Sequence, residues 1–316
     1  MERGRNDRLL PGVFHLKELN TVQIRALDRE KTVIFLPGGI LEEHGPYLPC
    51  YTDGYVNEYL VHHLAEAVAS RAGWNALIFP TIPLGTGGAN EIGEKYVFPG
   101  TYTVRTSTLR AVFMDLAIEL GEQGFRWIFV MHLHGAPNQN KMLDQACACF
   151  NDLYPGKMVN LAGLDPIGMI AVIDAELSTE DEILAHGMDV HAGWGETSLL
   201  LAVQPGLVDP AYKNAPPQRG ESWEDLSRIA HAPDWPGYFS MPAQADSAYG
   251  AAFMDKLIER YGSVLQQILD GQGDEFFPRY SLTDSSVNDD INQGALKEEN
   301  RRRQIQEEWL KQHGLT

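Results

Sequence analysis

The sequence predicts an α/β fold built on a mostly parallel sheet, and three observations carry that expectation. Continuous apolar runs at 33–36 and 126–131 have the composition of strands buried on both faces. Apolar residues at helical spacing follow them, first Val56, Leu60, Leu64 and Val68, then a stripe across 108–121. Strand and helix patterns alternate along the chain, as βαβ units require.

In chain order, residues 1–30 read as a lead-in with a short helix at 21–28. The strand at 33–36 ends in Pro37 and the pair Gly38-Gly39, and the loop beyond opens a helix near Asp53. Residues 75–84 read as a second strand. The Gly-rich stretch 85–101 lacks the Gly-Lys-Ser/Thr ending of a phosphate loop. Then come the helix at 108–121, the central strand at 126–131 and a helix carrying Met142, Ala146 and Phe150. A strand at 158–163 and helical character at 180–185 precede a buried helix at 199–203 whose first turn holds Glu196. Residues 205–246, rich in Pro, Trp and Gly, read as a long irregular excursion, and such a length points to a functional loop or an interface. An amphipathic helix covers 249–269. The expected organisation is one domain over 1–282 with a charged helical extension over 283–316. The narrow stripe of Ile305 and Trp309 suits that extension either to a neighbouring subunit or to a solvated existence.

With 316 residues, 44% apolar and 22% charged, the chain can bury a substantial core. Its formal net charge of −18 argues against nucleic acid or anionic membrane as partners. No apolar run is long enough to span a bilayer, and no h-region follows Met1. Cys50, Cys147 and Cys149 form no Cys-x-x-Cys pair, which fits a reducing cytoplasm.

The chemistry gathers at three places. Glu42 and His44 alternate in an extended loop, so they share a side, and Asp53 follows across a Pro- and Gly-punctuated turn. His132 and His134 end the central strand; His134, at the exit into Gly135, is the candidate ligand and His132 a packing or supporting residue. His191 and Glu196 precede the last buried helix. All three lie where ligands bind in such sheets, beyond the carboxyl ends of strands. Carboxylates and imidazoles in this number suit two divalent cations, zinc or manganese with iron as a further candidate, sharing Asp53 as a bridge. His191 suits proton transfer. Trp194 reads as a substrate-facing wall and Glu43 as solvated. Asn90, Glu91, Glu94 and Lys95 offer groups for substrate hydroxyls, with Glu94 the substrate-binding candidate.

At these residues the chain resembles the creatininase (creatinine amidohydrolase) family. The matching blocks are Glu42-Glu43-His44-Gly45-Pro46-Tyr47-Leu48-Pro49 with Thr52-Asp53, then Phe98-Pro99-Gly100-Thr101, His134-Gly135 with Asn138, and His191-Ala192-Gly193 with Glu196-Thr197-Ser198. The resemblance implies a three-layer α/β/α subunit, hexameric assembly and a small-molecule substrate. It implies Glu42, His44, Asp53 and His134 as metal ligands, with Glu196 a further one. The chain departs from the family in four ways: Glu43 stands where the family has Gln, Ala136 where creatininase has a metal-binding Glu, one extra residue lies between His134 and Asn138, and the Ser-x-Glu-His stretch that usually precedes Phe98-Pro99-Gly100-Thr101 is missing.

The expected activity is hydrolysis of a C–N bond in a small, cyclic amide other than creatinine by a metal-bridged hydroxide. A metal-dependent hydrolase or isomerase of a keto-sugar or cyclitol is the alternative, and an inactive metal-binding scaffold the third reading.

Overall fold

The computed structural model describes residues 12–164, 166–273, 277, 279 and 289–315. Residues 1–11 of the lead-in and 283–288 at the start of the extension lie outside these. Among the described residues, five strands form one parallel sheet: β1 (Val13–His15), β2 (Thr32–Gly38), β3 (Asn75–Ile78), β4 (Trp127–His132) and β5 (Lys157–Asn160). Their order is β1-β3-β2-β4-β5. The short β1 was not foreseen, and β3 and β5 are shorter than the apolar runs that signalled them.

Alternation along β2 sends its side chains into two cores, because successive Cβ atoms leave opposite faces of a strand. Val33 and Phe35 join Phe129 and Met131 against α2 (Thr52–Ala69) and α9 (Ser247–Leu269), with α5 (Pro166–Leu177) beside them. Ile34 and Leu36 join Ile128 and Val130 against α3 (Thr106–Glu122) and α4 (Pro137–Leu153). The result is the three-layer α/β/α sandwich that the alternating pattern and the family resemblance imply.

The strand order also creates the site. From β2 the chain crosses through α2 on one face to β3, then through α3 on the other face to β4, on the far side of β2. The connections leaving β2 and β4 therefore diverge, and a crevice opens at their carboxyl ends. Register pairs Gly38 with His132 at that edge. A Cβ on Gly38 would lie 1.5 Å from His132 Nε2, so only glycine leaves room for the imidazole.

The remaining elements are α1 (Thr21–Ala26), α6 (Glu180–His186), α7 (Trp194–Val203), α8 (Trp223–His231) and α10 (Asp289–Gln312). Within 205–246, α8 is N-capped by Ser222, whose hydroxyl accepts from Asp225 N, and it packs through Leu226 and Ala230 on Trp235 and Phe239. Helix α10 lies against this chain's own segment around 89–106. No helix among the described residues is long and apolar enough to cross a membrane.

Candidate metal centre

Beyond β2 the chain must fold back over the first turn of α2. Gly39 permits this, since a Cβ there would come within 2.7 Å of Gly54 N. The loop is pinned by Glu42 N donating to Cys50 O at 2.9 Å, and Gly45 turns it at φ 63°. Glu42, His44 and Asp53 are consequently buried together. Asp53 sits in the first turn of α2, where the helix dipole favours a carboxylate.

His44 donates Nδ1–H toward Glu42 O at 3.1 Å, which leaves Nε2 facing Asp53 Oδ1 at 3.2 Å and Glu196 Oε2 at 3.6 Å. His134 stands two residues past β4 and donates Nε2–H toward Gly87 O at 3.0 Å. Its Nδ1 then faces Asp53 Oδ2 at 3.2 Å and Glu42 Oε2 at 3.3 Å. Two neutral imidazoles thus aim lone pairs at carboxylates. That arrangement is repulsive unless a proton or a cation lies between them, and it is the tautomer that metal-binding histidines adopt.

Other atoms point the same way. Glu42 Oε2 and Asp53 Oδ2 are buried without a hydrogen-bond partner. The donor set therefore fits divalent cations: Glu42 with Asp53 and His134, His44 with Asp53 and Glu196, and also Glu42 with His44 and His191, each group with its ligand atoms within 4.8 Å. Glu196 lies in the first turn of α7 and accepts from Ala192 N at 2.5 Å across a left-handed Ala192 (φ 49°). That contact turns its carboxylate toward His44.

Without a cation, protons must balance these charges. Burial works against the His134 imidazolium, but Glu42 and then Asp53 outweigh it and push its pKa up to about 9. Burial raises Glu42, while Asp53 is held below the usual carboxylate range by His134 and His44 against the same burial. Burial also disfavours the His191 imidazolium, yet Glu42 and then Glu43 lift it well above its ordinary value.

His191 packs its ring 4.4 Å from that of His44 and donates Nε2–H to Glu43 O at 2.6 Å. Its Nδ1 lies 3.8 Å from Glu42 Oε1. Glu43 is only 3% exposed, not solvated: its Oε2 accepts from Gly45 N, and its Oε1 lies 3.5 Å from His191 Nε2. Gly237 covers it, close enough that a Cβ there would strike Oε2. His132 is fully buried against the Phe113 ring, and burial followed by the charge on His134 pushes its pKa down to about 3. It is a neutral support beneath the site.

Trp194 is stacked on His186 with 4.0 Å between ring centroids, and its other neighbour is the Tyr249 ring at 4.2 Å. Glu94 is exposed and caps the 3-10 turn Ala89–Gly93 in a left-handed conformation. The buried acid of that turn is Glu91, which burial pushes up to about 7. The same stretch bonds this cluster: Ala89 N donates to Glu42 Oε1, Gly87 O receives His134, and Thr101 Oγ1 accepts from Glu43 N.

A sequence profile described as "Creatininase: Creatinine amidohydrolase" matches residues 17–265. The creatinine amidohydrolase of Pseudomonas putida is 33% identical over 183 residues, covering 56% of this chain and 66% of the relative. The mycofactocin precursor peptide peptidase of Mycolicibacterium smegmatis is 28% identical over 191 residues, covering 60% of this chain and 65% of the relative. The chain thus matches just under two thirds of the length of these relatives. A crystal structure of creatinine amidohydrolase aligns with a TM-score of 0.62 at 23% identity, covering 82% of this chain and 98% of that one. At that identity the likeness is one of fold.

Proposed function

This chain belongs to the creatininase family, and from that premise we propose a two-metal hydrolase that opens a C–N bond in a small, cyclic amide. Membership makes it a metal-dependent enzyme of the amidohydrolase kind. The observation that carries the two-metal reading is the division of Asp53, whose Oδ1 faces His44 while its Oδ2 faces His134, both at 3.2 Å. Glu42, Asp53 and His134 would hold one ion, and His44, Asp53 and Glu196 the other. Ala136 offers no carboxylate, so Glu196 takes the part that a glutamate after the histidine plays in creatininase. Similar solved creatininases include a manganese form and a Zn–Zn form, which supports these two metals here. When bound, such a pair brings the pKa of a water near neutrality and polarises a carbonyl oxygen.

The chain's own groups do the rest. His191 is anchored at Nε2 by the Glu43 carbonyl, so Nδ1 is the nitrogen that delivers a proton to the leaving amine. Glu43, a carboxylate where the family carries an amide, favours the charged imidazole for that delivery. Glu42 and His134 are kept in register by Ala89 N and Gly87 O. The missing Ser-x-Glu-His stretch before Phe98 and the polar groups of the 85–101 segment support a substrate other than creatinine. A homo-oligomer, hexameric by resemblance, a cytoplasmic location, and the division at 282/283 complete the proposal.

One observation favours a second reading, a polyhydroxy ketone such as an oxidised cyclitol. Asn90 Oδ1 is buried without a hydrogen-bond partner, and the neighbouring residue Glu91 is buried too. Two such polar groups suit the several hydroxyls of a polyhydroxy ketone better than the few polar atoms of a cyclic amide. Screening cyclic amides beside polyhydroxy ketones on the metal-loaded chain separates the two. Full turnover after chelation would overturn both.

A further inference from the structure

Helix α10 lies beyond the family match, which ends at residue 265, yet it reaches the segment that steadies the metal-facing groups. Glu299 accepts from Thr106 N at 2.7 Å and from Thr106 Oγ1 at 2.8 Å. This caps α3 from a distant element, since the residue at its own N-cap, Arg105, supplies no side-chain bond. A carboxylate there also meets the positive end of the helix dipole. Three residues on, Arg302 donates Nη1–H to Thr103 O at 3.2 Å and to Thr103 Oγ1 at 3.0 Å. Glu298 orients that guanidinium from one turn back, at 3.2 Å. Gly294 packs on Tyr96 so closely that a Cβ would lie 1.9 Å from its hydroxyl.

The braced stretch is tied directly to the site. Val104 N donates to Gly85 O at 2.9 Å, closing the segment into a loop, and Tyr102 N donates to Leu41 O at 2.8 Å, next to Glu42. Inside that loop lie Gly87 O, Ala89 N and Thr101 Oγ1, which bond His134, Glu42 and Glu43 N. Arg302 is also the foremost charge favouring ionisation of Glu91 against its burial. We propose that Glu299 and Arg302 are positioning residues of the metal centre, acting through the 85–106 loop that they fasten. The inference rests on the two-metal reading for its consequence but on the loop's own bonds for its geometry.

The test uses full-length chelated protein: wild type, the Glu299→Ala/Arg302→Ala pair, Arg302→Lys, and Ile305→Ala as a control on the exposed side of α10. Amide exchange is measured without metal, and Mn²⁺ affinity by calorimetry. In the double variant, exchange over 86–104 accelerates about tenfold while β4 amides keep their protection, and Mn²⁺ affinity falls about tenfold, at the lower end of what outer supporting groups contribute. Arg302→Lys recovers part of both effects, and Ile305→Ala matches wild type. Unchanged exchange in the double variant overturns the brace. Faster exchange with unchanged Mn²⁺ affinity overturns the positioning role. A wild-type chain that takes up no Mn²⁺ contradicts the metal reading instead, and the exchange measurement still decides the brace.

Discussion

Removing the cations should make stability fall with rising pH above neutrality, where the loaded protein is flat. In the chelated protein His134 has a pKa of about 9, against 6.5 for an ordinary imidazole. At about 1.4 kcal/mol per unit, that difference contributes about 3 kcal/mol to folding, counted once for the whole cluster because Asp53 and Glu42 are its partners. A folded-state pKa above the unfolded one gives stability that is complete below pH 6.5 and lost as pH rises through 9. His132, lowered to about 3, changes stability only below 6.5 and leaves this window flat. Metal ligation holds those same imidazoles deprotonated, so the loaded protein gains with pH only while the unfolded imidazoles titrate near 6.5 and is flat above that, where the chelated one loses. Urea unfolding followed by tryptophan fluorescence at half-unit steps from pH 6 to 9.5 reads both slopes. Parallel slopes with and without metal, or a chelated protein as stable at 9.5 as at 6.5, would refute the reasoning. His134→Gln should make the chelated curve shallower, with His191 and Glu91 leaving a residual fall.

Three further outcomes follow from the same geometry. Asp53→Asn should lower metal content, measured by plasma mass spectrometry, from two ions per chain to one or none, since both clusters use its carboxylate. His191→Asn should keep both ions and lose about 10²- to 10⁴-fold in kcat on the best substrate, the range of general acid catalysis. Equal kcat would remove His191 from proton transfer. Gly38→Ala should destabilise the chain by about 1–3 kcal/mol in urea, because the new methyl meets the His132 ring and an overpacked core must shift. Wild-type stability there would mean that His132 is free to move.

The candidate ligands that the structure brings together were legible because each sits at a punctuation mark: a glycine pair after a buried strand, a strand exit, a helix start. Such places combine exposed backbone with strand carboxyl ends, so the residue types alone suggest ligands. Glu43 was not legible. Its burial depends on a cover around Gly237, nearly two hundred positions away, and no local pattern records that contact. Trp194 between two glycines reads as a substrate-facing wall, and its ring partners His186 and Tyr249, from α6 and α9, are contacts that no local pattern records. Glu94 and Glu91 are three apart in one loop, and only the 3-10 turn decides which is buried. Helix α8 was within reach of the sequence, since Ser222 with Asp225 is a capping pattern, but the surrounding prolines and tryptophans hid it. The strand order, which opens the crevice between β2 and β4, is a matter of topology and has no sequence signature.

The central claim is that Asp53 divides its carboxylate between two cations. Crystals of the manganese-loaded chain, measured at the manganese absorption edge, test it most directly. The account predicts two anomalous peaks, one among Glu42, Asp53 and His134 and the other among His44, Asp53 and Glu196. A single peak, or peaks that leave Asp53 outside bonding distance, would contradict it.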